Sequence, residues 1–352
     1  MRWGKQLGAL CLLLSSQLLA AAEITDLYVA DVAANQSTQQ WQQQALLQVL
    51  VRVSGQADAG DIPAVREELR RAAAYIKQFE AVRQQQENRI KVLLDATRIN
   101  ALLQQQQLPV WGAQRPELLV WLVEQTPAER RFVRSADNPM LSALNRSFKE
   151  KALPLMLPLY DIEDLQHVSE TDIWAGFWQQ INQASGRYNA DIIIVAMIEH
   201  LDSGYRLNWQ RQLNGRTLRH DVTAENEHAL MEQFSAQLAA TLAQQFAVMF
   251  SAETASGKAL LDVEGIADLT DLVSVQQALQ QVSGVNNVTI TAFSGKSTRF
   301  MLDISMADAE LLKALQFERR LRQQDNPISL LPSVDSEAVS EPALAVYRYI
   351  RP

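Results

Sequence analysis

The chain has 352 residues, of which 47% are hydrophobic, and its formal net charge of -8 gives a pI near 5.2. This length and apolar content suffice for roughly two or three hydrophobic cores, and the acidity argues against nucleic-acid binding and against broad adhesion to anionic lipid. The single cysteine, Cys11, lies near the N-terminus, which excludes a disulfide framework or a cysteine metal site in the rest of the chain.

Residues 1–22 have the pattern of a secretory signal peptide. Arg2 and Lys5 precede an apolar run, which ends in three consecutive alanines. The run is short for a membrane span, so we expect a periplasmic protein whose mature chain has no transmembrane segment. Two alternatives stay open: retention of the run as an anchor, and lipidation at Cys11, although Leu10 is larger than a lipoprotein site prefers.

Residues 23–110 predict a small α+β module with the order strand, helix, helix, strand, strand, helix. Ser37 and Gln40 form a capping box that opens the first helix. That helix ends at Gly55, for which we expect a positive φ angle. The periodic pattern stops at residues 108–112, which mark the first domain boundary.

Residues 115–252 predict a central α/β domain that folds alone. Residues 118–123 and 192–198 are uninterrupted apolar runs, typical of strands covered on both faces. Helical patterns alternate with these strands, and a long helix covers the sheet from about residue 226. The alternation predicts three layers with a mainly parallel sheet.

The stretch from residue 169 to residue 222 organises this domain. Ser169 and Asp172 form a second capping box, and the apolar stripe that follows predicts one helix closed by a left-handed Gly186. Further along, Asn214-Gly215 predicts a type I′ hairpin turn.

Counting outward from the turn pairs Leu207 with Val222 and Trp209 with His220.

Residues 258–325 read strand, helix, strand, strand, helix, which predicts a ferredoxin-like module. The segment Glu253-Thr254-Ala255-Ser256-Gly257 interrupts the pattern just before this module and marks the second domain boundary. Residues 326–352 form a tail, and its last apolar stretch, residues 343–350, predicts one added strand.

Four residues are candidates for ligand binding. Asp161, Glu163 and Asp164 follow a strand end, where open α/β sheets often bind ligands; the alternative is that they cap a helix. His200 ends the central strand, two residues before Asp202. Zinc needs three or four ligands, so we predict no metal site here.

Several segments together resemble a proteobacterial family described as domain of unknown function 2066. The resemblance implies an exported protein of a Gram-negative cell, and it brings no activity with it. Its segments are residues 50–55, Arg115-Pro116, residues 120–122, residues 154–161, Trp174, residues 188–191 and Trp209.

No serine-hydrolase elbow, zinc-protease helix motif or glycine-rich phosphate loop occurs in the sequence. We therefore expect a non-enzymatic accessory protein without a cofactor, which binds envelope proteins during cell-envelope assembly or maintenance. The alternative is a periplasmic small-ligand receptor or hydrolase that uses a cleft near Asp161, Glu163 and His200. We predict no catalytic residue; in the alternative reading, the carboxylates of Asp161, Glu163 and Asp164 bind a cation or act as acid and base.

Overall fold

The computed structural model describes residues 26–84, 87–135, 137–250, 257–294, 297–324 and 342–351. The predicted signal peptide, residues 1–22, and most of the predicted tail lie outside these ranges. The described residues form a mixed α/β structure with three separate sheets. Each sheet has a hydrophobic core of its own, and the middle sheet has one on each face.

The N-terminal unit is an antiparallel sheet of three strands, in the order β1-β3-β2, with a long helix against it. Its elements follow the predicted order: β1 (Val29–Ala33), α1 (Thr38–Ser54), α2 (Pro63–Leu69), β2 (Ile76–Gln84), β3 (Glu87–Leu94) and α3 (Ala96–Gln105). The capping box of Ser37 and Gln40 is present at the start of α1, and Gly55 ends the helix with φ +69°. Both local predictions are confirmed.

The central unit contains a mixed sheet in the order β5-β4-β7-β8-β9, with β6 paired to the start of β4. Its elements are β4 (Leu118–Gln125), β5 (Arg130–Phe132), α4 (Pro139–Glu150), β6 (Leu155–Met156), α5 (Ile162–His167), α6 (Glu170–Ala175), α7 (Trp178–Ser185), β7 (Ile192–His200), β8 (Tyr205–Leu213), β9 (Arg216–Ala224) and α8 (Glu227–Phe246). The apolar strands β4 and β7 are neighbours in the sheet interior, as residues that are apolar on both faces require.

Alternate residues of β4 face opposite layers of the central unit. Leu118, Val120 and Leu122 belong to the core formed with α4 and α8. Leu119 and Trp121 belong to the core formed with α6 and α7. The strand period of two thus distributes one apolar run between two helix layers.

The prediction of a mainly parallel sheet was wrong. Only β4 with β7 and β4 with β6 run parallel, whereas β4 with β5, β7 with β8, and β8 with β9 are antiparallel. The reason lies in the connections. Three strand pairs are joined by short turns, which reverse the chain, and only the connections from β4 to β6 and β7 pass through helices.

The single helix predicted to end at Gly186 is two helices, and this expectation was also wrong. The capping box of Ser169 and Asp172 is present, but α6 ends at Gly176, which has φ +71°. Gly186 has φ -58° and continues a helical turn instead. The apolar spacing runs across the break, so periodicity alone did not show that the earlier position, Gly176, is the left-handed one.

The hairpin of β8 and β9 has the predicted register. Leu207 pairs with Val222 and Trp209 with His220. Positive φ angles at Asn214 and Gly215, of 50° and 74°, form the turn.

The C-terminal unit is a five-stranded sheet in the order β11-β12-β10-β14-β13. Its elements are β10 (Gly257–Glu264), α9 (Leu269–Gln280), β11 (Val285–Ser294), β12 (Ser297–Ile304), α10 (Asp308–Leu315), β13 (Leu321–Gln323) and β14 (Ala345–Tyr349). The expected added strand is β14. It lies beside β10 and runs parallel to it. The ferredoxin-like arrangement was therefore wrong: a strand from the chain's end occupies the position that the strand following α10 would take in that arrangement, and β13 is displaced outward.

Candidate functional site

Three of the four candidate residues meet at the start of α5, around one guanidinium. Arg187 Nη1 lies 2.8 Å from Asp161, 3.4 Å from Glu163 and 3.4 Å from Asp164. Asp161 is also the N-cap of α5, and its carboxylate accepts a hydrogen bond from the backbone N–H of Asp164. Of the three carboxylates, Asp161 has the predicted helix-capping role.

Asp164 is the buried member of this group, with 1% of its surface exposed. The hydroxyl of Tyr188 donates to its carboxylate at 2.6 Å, and the backbone N–H of Tyr160 donates to the same oxygen at 2.8 Å. The Tyr188 hydroxyl in turn accepts from the backbone N–H of Leu159. Asp164 and Tyr188 together therefore hold the backbone that leads into α5.

These contacts shift the pKa values of Asp161, Arg187 and Tyr188. The hydrogen bond from Arg187 lowers the pKa of Asp161, and the same bond raises the pKa of Arg187. Burial, followed by the hydrogen bond to Asp164, raises the pKa of Tyr188 to about 12. Asp161 is thus held as a carboxylate by its guanidinium partner rather than tuned toward neutrality, as a general acid would be.

Tyr160, in the loop before α5, has φ +52°, a left-handed backbone conformation that few residues other than glycine adopt. Its ring is buried against Trp121 and Phe132, and its hydroxyl accepts from the backbone N–H of Leu122 on β4. Backbone strain of this kind persists where surrounding contacts enforce it, and it is common at binding sites. The loop before α5 is therefore fixed to the sheet by a side chain and to Asp164 by its backbone.

An exposed apolar surface results from this arrangement. Leu159, Ile162 and Leu165 are 67%, 77% and 44% exposed. Ile162 and Leu165 are three residues apart on α5 and therefore share a helix face, and Leu159 lies three residues before Ile162. We call these three side chains the α5 surface.

His200, the fourth candidate, lies in a different cluster at the carboxyl ends of β4 and β7. Its Nε2 is 2.6 Å from a carboxylate oxygen of Glu124, a side chain that is itself buried. Arg131 contacts the other oxygen of Glu124 at 3.2 Å. Close by, the ring of Tyr205 meets that of His200 edge-on, and its hydroxyl donates to Glu227.

The hydrogen bond to Glu227 raises the pKa of Tyr205 to about 12 and lowers the pKa of Glu227.

The structure thus groups Asp161, Glu163 and Asp164, and it places His200 with Glu124. Within the part of the chain that the structure describes, no hydrogen bond or ion pair joins the two clusters, and no three His, Cys, Asp or Glu side chains are arranged to hold a metal ion. The neighbour Asp202 is exposed.

Sequence reasoning missed the residues that organise both clusters. Arg187 is more than twenty positions from the carboxylates that it joins, and Glu124 is 76 positions from His200. The available signal was weak: Tyr188 belongs to a segment of the family resemblance, and Glu124 is a charged residue that directly follows an apolar strand. Neither observation specifies a partner, because both contacts form only when distant segments pack together.

One family model matches part of the chain, a domain of unknown function designated DUF8605, over residues 21–112. This range includes the N-terminal unit, so the unit resembles an uncharacterised domain. No curated protein and no solved structure matches the chain. Among the residues that the structure describes, no helix has the length and apolar character needed to cross a membrane.

Proposed function

We propose that this chain is a non-enzymatic accessory protein of the periplasm, which binds another envelope protein through the α5 surface during cell-envelope assembly or maintenance. The observation that carries the proposal is the pairing of an exposed apolar helix face with the strained, hydrogen-bonded loop that leads into the helix. Ile162 is 77% exposed, whereas Asp164 on the same short helix is buried and hydrogen-bonded. A surface fixed in advance loses little conformational entropy on binding.

The chemistry around the α5 surface indicates the kind of partner. Asp161, Glu163 and Asp164 contribute three negative charges, and Arg187 returns one positive charge. Glu163 and Asp161 remain partly exposed at the rim of the apolar centre. A partner with apolar anchors and a basic rim complements such a surface, since complementary rim charges guide association and apolar side chains supply affinity.

Export to the periplasm rests on residues 1–22, in which Arg2 and Lys5 precede an apolar run and three alanines. Cell fractionation with an osmotic-shock step tests this part separately. We expect a chain shortened at its N-terminus and released with periplasmic proteins. Retention of the full-length chain in the cytoplasm would contradict the location without bearing on the α5 surface.

The binding proposal is tested by crosslinking in intact envelopes, followed by capture of the tagged chain. We compare the wild type with a double variant, Ile162→Ser and Leu165→Ser. A matched control is Leu93→Ser on β3, where the leucine is 39% exposed, close to the 44% of Leu165. The expected result is a partner captured by the wild type and by the control, and lost from the double variant.

Capture that is equal in all three proteins would overturn the proposal. A further variant, Tyr188→Phe, leaves the α5 surface chemically unchanged but removes the hydroxyl that bonds Asp164 and Leu159. We expect weaker capture from this variant as well, because the loop loses the contact that fixes it. Thermal unfolding of each variant verifies that the chain is folded.

A further inference from the structure

The outer edge of the C-terminal sheet is the strand β11, which is ten residues long and contains no charged residue. An edge strand presents unpaired backbone N–H and C=O groups, to which another strand can pair. Proteins usually block such edges with charged side chains or keep them short. β11 shows neither of these two forms, and its two β-bulges, a third form of protection, leave residues 287–290 regular.

The other sheet edges in the described ranges are blocked. β6 is two residues long, β5 and β13 are three, and β1 is five. The longer edges are charged: β2 carries Lys77, Glu80 and Arg83, and β9 carries Arg216, Arg219 and Asp221. Among the edge strands in the described ranges, β11 therefore differs from the others in being both long and uncharged.

The strand register places apolar side chains beside this edge. Ile290 pairs with Phe300 and Phe293 pairs with Thr298, and directly paired residues of an antiparallel ladder point to the same face. Phe300 and Thr298 are buried, yet Ile290 is 38% exposed and Phe293 70% exposed. Ile290 and Phe293 thus point to the face of the sheet that carries the core, but they remain exposed because they lie at its edge.

Helix α9 adds to the same surface. It packs on β11, where the side chain of Gln276 donates to the backbone carbonyl of Val288. On the preceding turns of α9, Leu269 is 74% exposed and Val273 is 44% exposed. We call Leu269, Val273, Ile290, Phe293 and the outer backbone of β11 the β11 edge surface.

Two irregularities in the ladder delimit the part of the edge that can pair regularly. The register shifts between Val285 and Asn287 and again between Ile290 and Ala292. Residues 287–290 lie between these two bulges and keep a regular ladder. Another strand can therefore form a regular ladder only with residues 287–290, and this restriction fixes its register.

We infer that the β11 edge surface is the interface between two copies of this chain, which pair their β11 strands antiparallel about a two-fold axis. A two-fold interface sets the same patch against itself, so a charged patch would repel its own copy. β11 has no charge, and the acidic residue paired with it across the ladder, Asp303, accepts a hydrogen bond from the side chain of Asn287 at 3.3 Å. An interface with a different protein gains selectivity from complementary charges, and this strand offers none.

The test is the oligomeric state of the purified full chain, measured by sedimentation velocity over a concentration series. Thr289→Lys places an ammonium on the regular stretch of β11, at a residue that is exposed. The matched control is Thr223→Lys, an exposed threonine on the charged edge strand β9. We expect a wild-type dimer, an unchanged dimer in the control, and self-association weakened at least roughly tenfold by Thr289→Lys.

Val273→Glu provides a second variant that leaves the strand backbone intact, and we expect it to weaken the dimer as well. Hydrogen exchange of the amides of residues 287–290 gives an independent readout, because protection at this edge should rise with protein concentration. A wild type that stays monomeric, or a dimer that both variants leave unchanged, overturns the inference. Protection that does not depend on concentration assigns the edge to another part of the same chain, and protection that needs an envelope extract assigns it to another protein.

Discussion

The two junctions between the three units are built from different interactions. At the first junction, between the N-terminal and central units, Arg52 and Arg115 are 6% and 5% exposed. At the second, between the central and C-terminal units, Arg319 lies 2.8 Å from Glu117 and has 44% of its side chain exposed. A buried guanidinium is stabilised only when its donors are satisfied, whereas an exposed ion pair is weakened by water and salt.

Backbone carbonyls accept hydrogen bonds from both buried arginines of the first junction. Arg52 donates to those of Asp26, Leu27, Val29 and Glu150. Arg115 donates to five carbonyls, those of Arg52, Trp111, Gly112, Lys151 and Ala152. Burial, with repulsion from Arg52 as a smaller cause, lowers the pKa of Arg115. The guanidinium therefore ties α1, the connecting segment and the end of α4 together.

The second junction has fewer buried polar contacts. The ring of Phe246 meets that of Phe317 edge-on, the Lys313 ammonium donates to the carbonyl of Ala247, and the backbone N–H of Met249 donates to Glu310. We infer that the first junction strongly couples the folding of the N-terminal and central units. The second junction couples the folding of the central and C-terminal units more weakly. A charged residue at a domain boundary thus has different consequences according to its burial.

The largest expected effect comes from Ile194→Asp. Ile194 is fully buried on β7, so an unpaired carboxylate there should cost several kcal/mol and unfold the central unit. We expect the N-terminal unit to become sensitive to protease together with the central unit, while the C-terminal unit survives limited proteolysis. Survival of the N-terminal unit would show that the first junction is not cooperative.

Arg115→Ala should have the next largest effect. It leaves several buried carbonyls without donors, and we expect a loss of about 3 kcal/mol in the free energy of unfolding, measured with urea. Arg115→Lys keeps the charge but cannot reach five acceptors, so an intermediate loss is expected. A loss below about 1 kcal/mol for the alanine variant would contradict the importance given to this side chain.

The same contacts bear on the separability of the central unit. A fragment of residues 115–252 keeps only the acceptors on Lys151 and Ala152 and loses those on Arg52, Trp111 and Gly112. We still predict that this fragment folds, with lower stability than a fragment that begins before Trp111.

The two glycines at helix ends should respond with opposite signs. A Cβ on Gly55, which has φ +69°, would lie 2.0 Å from the Cβ of Ala243 on α8, so Gly55→Ala should cost about 2–4 kcal/mol. Gly186 has helical angles and open space around it, so Gly186→Ala should stabilise by about 0.5–1 kcal/mol. Thermal unfolding compares the two.

The predicted cost of Gly55→Ala has two causes, the clash with Ala243 and the backbone strain at positive φ. Ala243→Gly in the Gly55→Ala background removes the clash but not the backbone strain, so partial recovery is expected. A full recovery would mean that the φ angle contributes nothing, and no recovery would mean that the close approach to α8 is unimportant.

Arg319→Ala should have the smallest effect. Its guanidinium lies 2.8 Å from Glu117 and 3.7 Å from Asp191, but it is half exposed, so a loss below about 1 kcal/mol is expected. The loss should shrink further in high salt. An effect of Arg319→Ala equal to that of Arg115→Ala would remove the distinction between the junctions.

Local rules determined a large part of this structure. The capping boxes at Ser37 and Ser169, the left-handed Gly55 and the hairpin register around Asn214-Gly215 all follow from residues within a few positions of each other. The apolar character of β4 and β7 also placed these strands in the interior of a sheet. For the caps, the glycine and the hairpin the physical cause is short-range, and for the two strands it is their own apolar composition on both faces.

Tertiary structure decided what depends on distant segments. Strand direction in the central sheet, the insertion of β14 beside β10, the choice of Gly176 over Gly186 and the partners of Arg187 and Glu124 were not foreseen. Each of these is set by which surfaces pack together, since burial and hydrogen bonding reward contacts without regard to sequence separation. Composition and periodicity determined the elements of this protein, and packing determined how its charged and apolar side chains are presented.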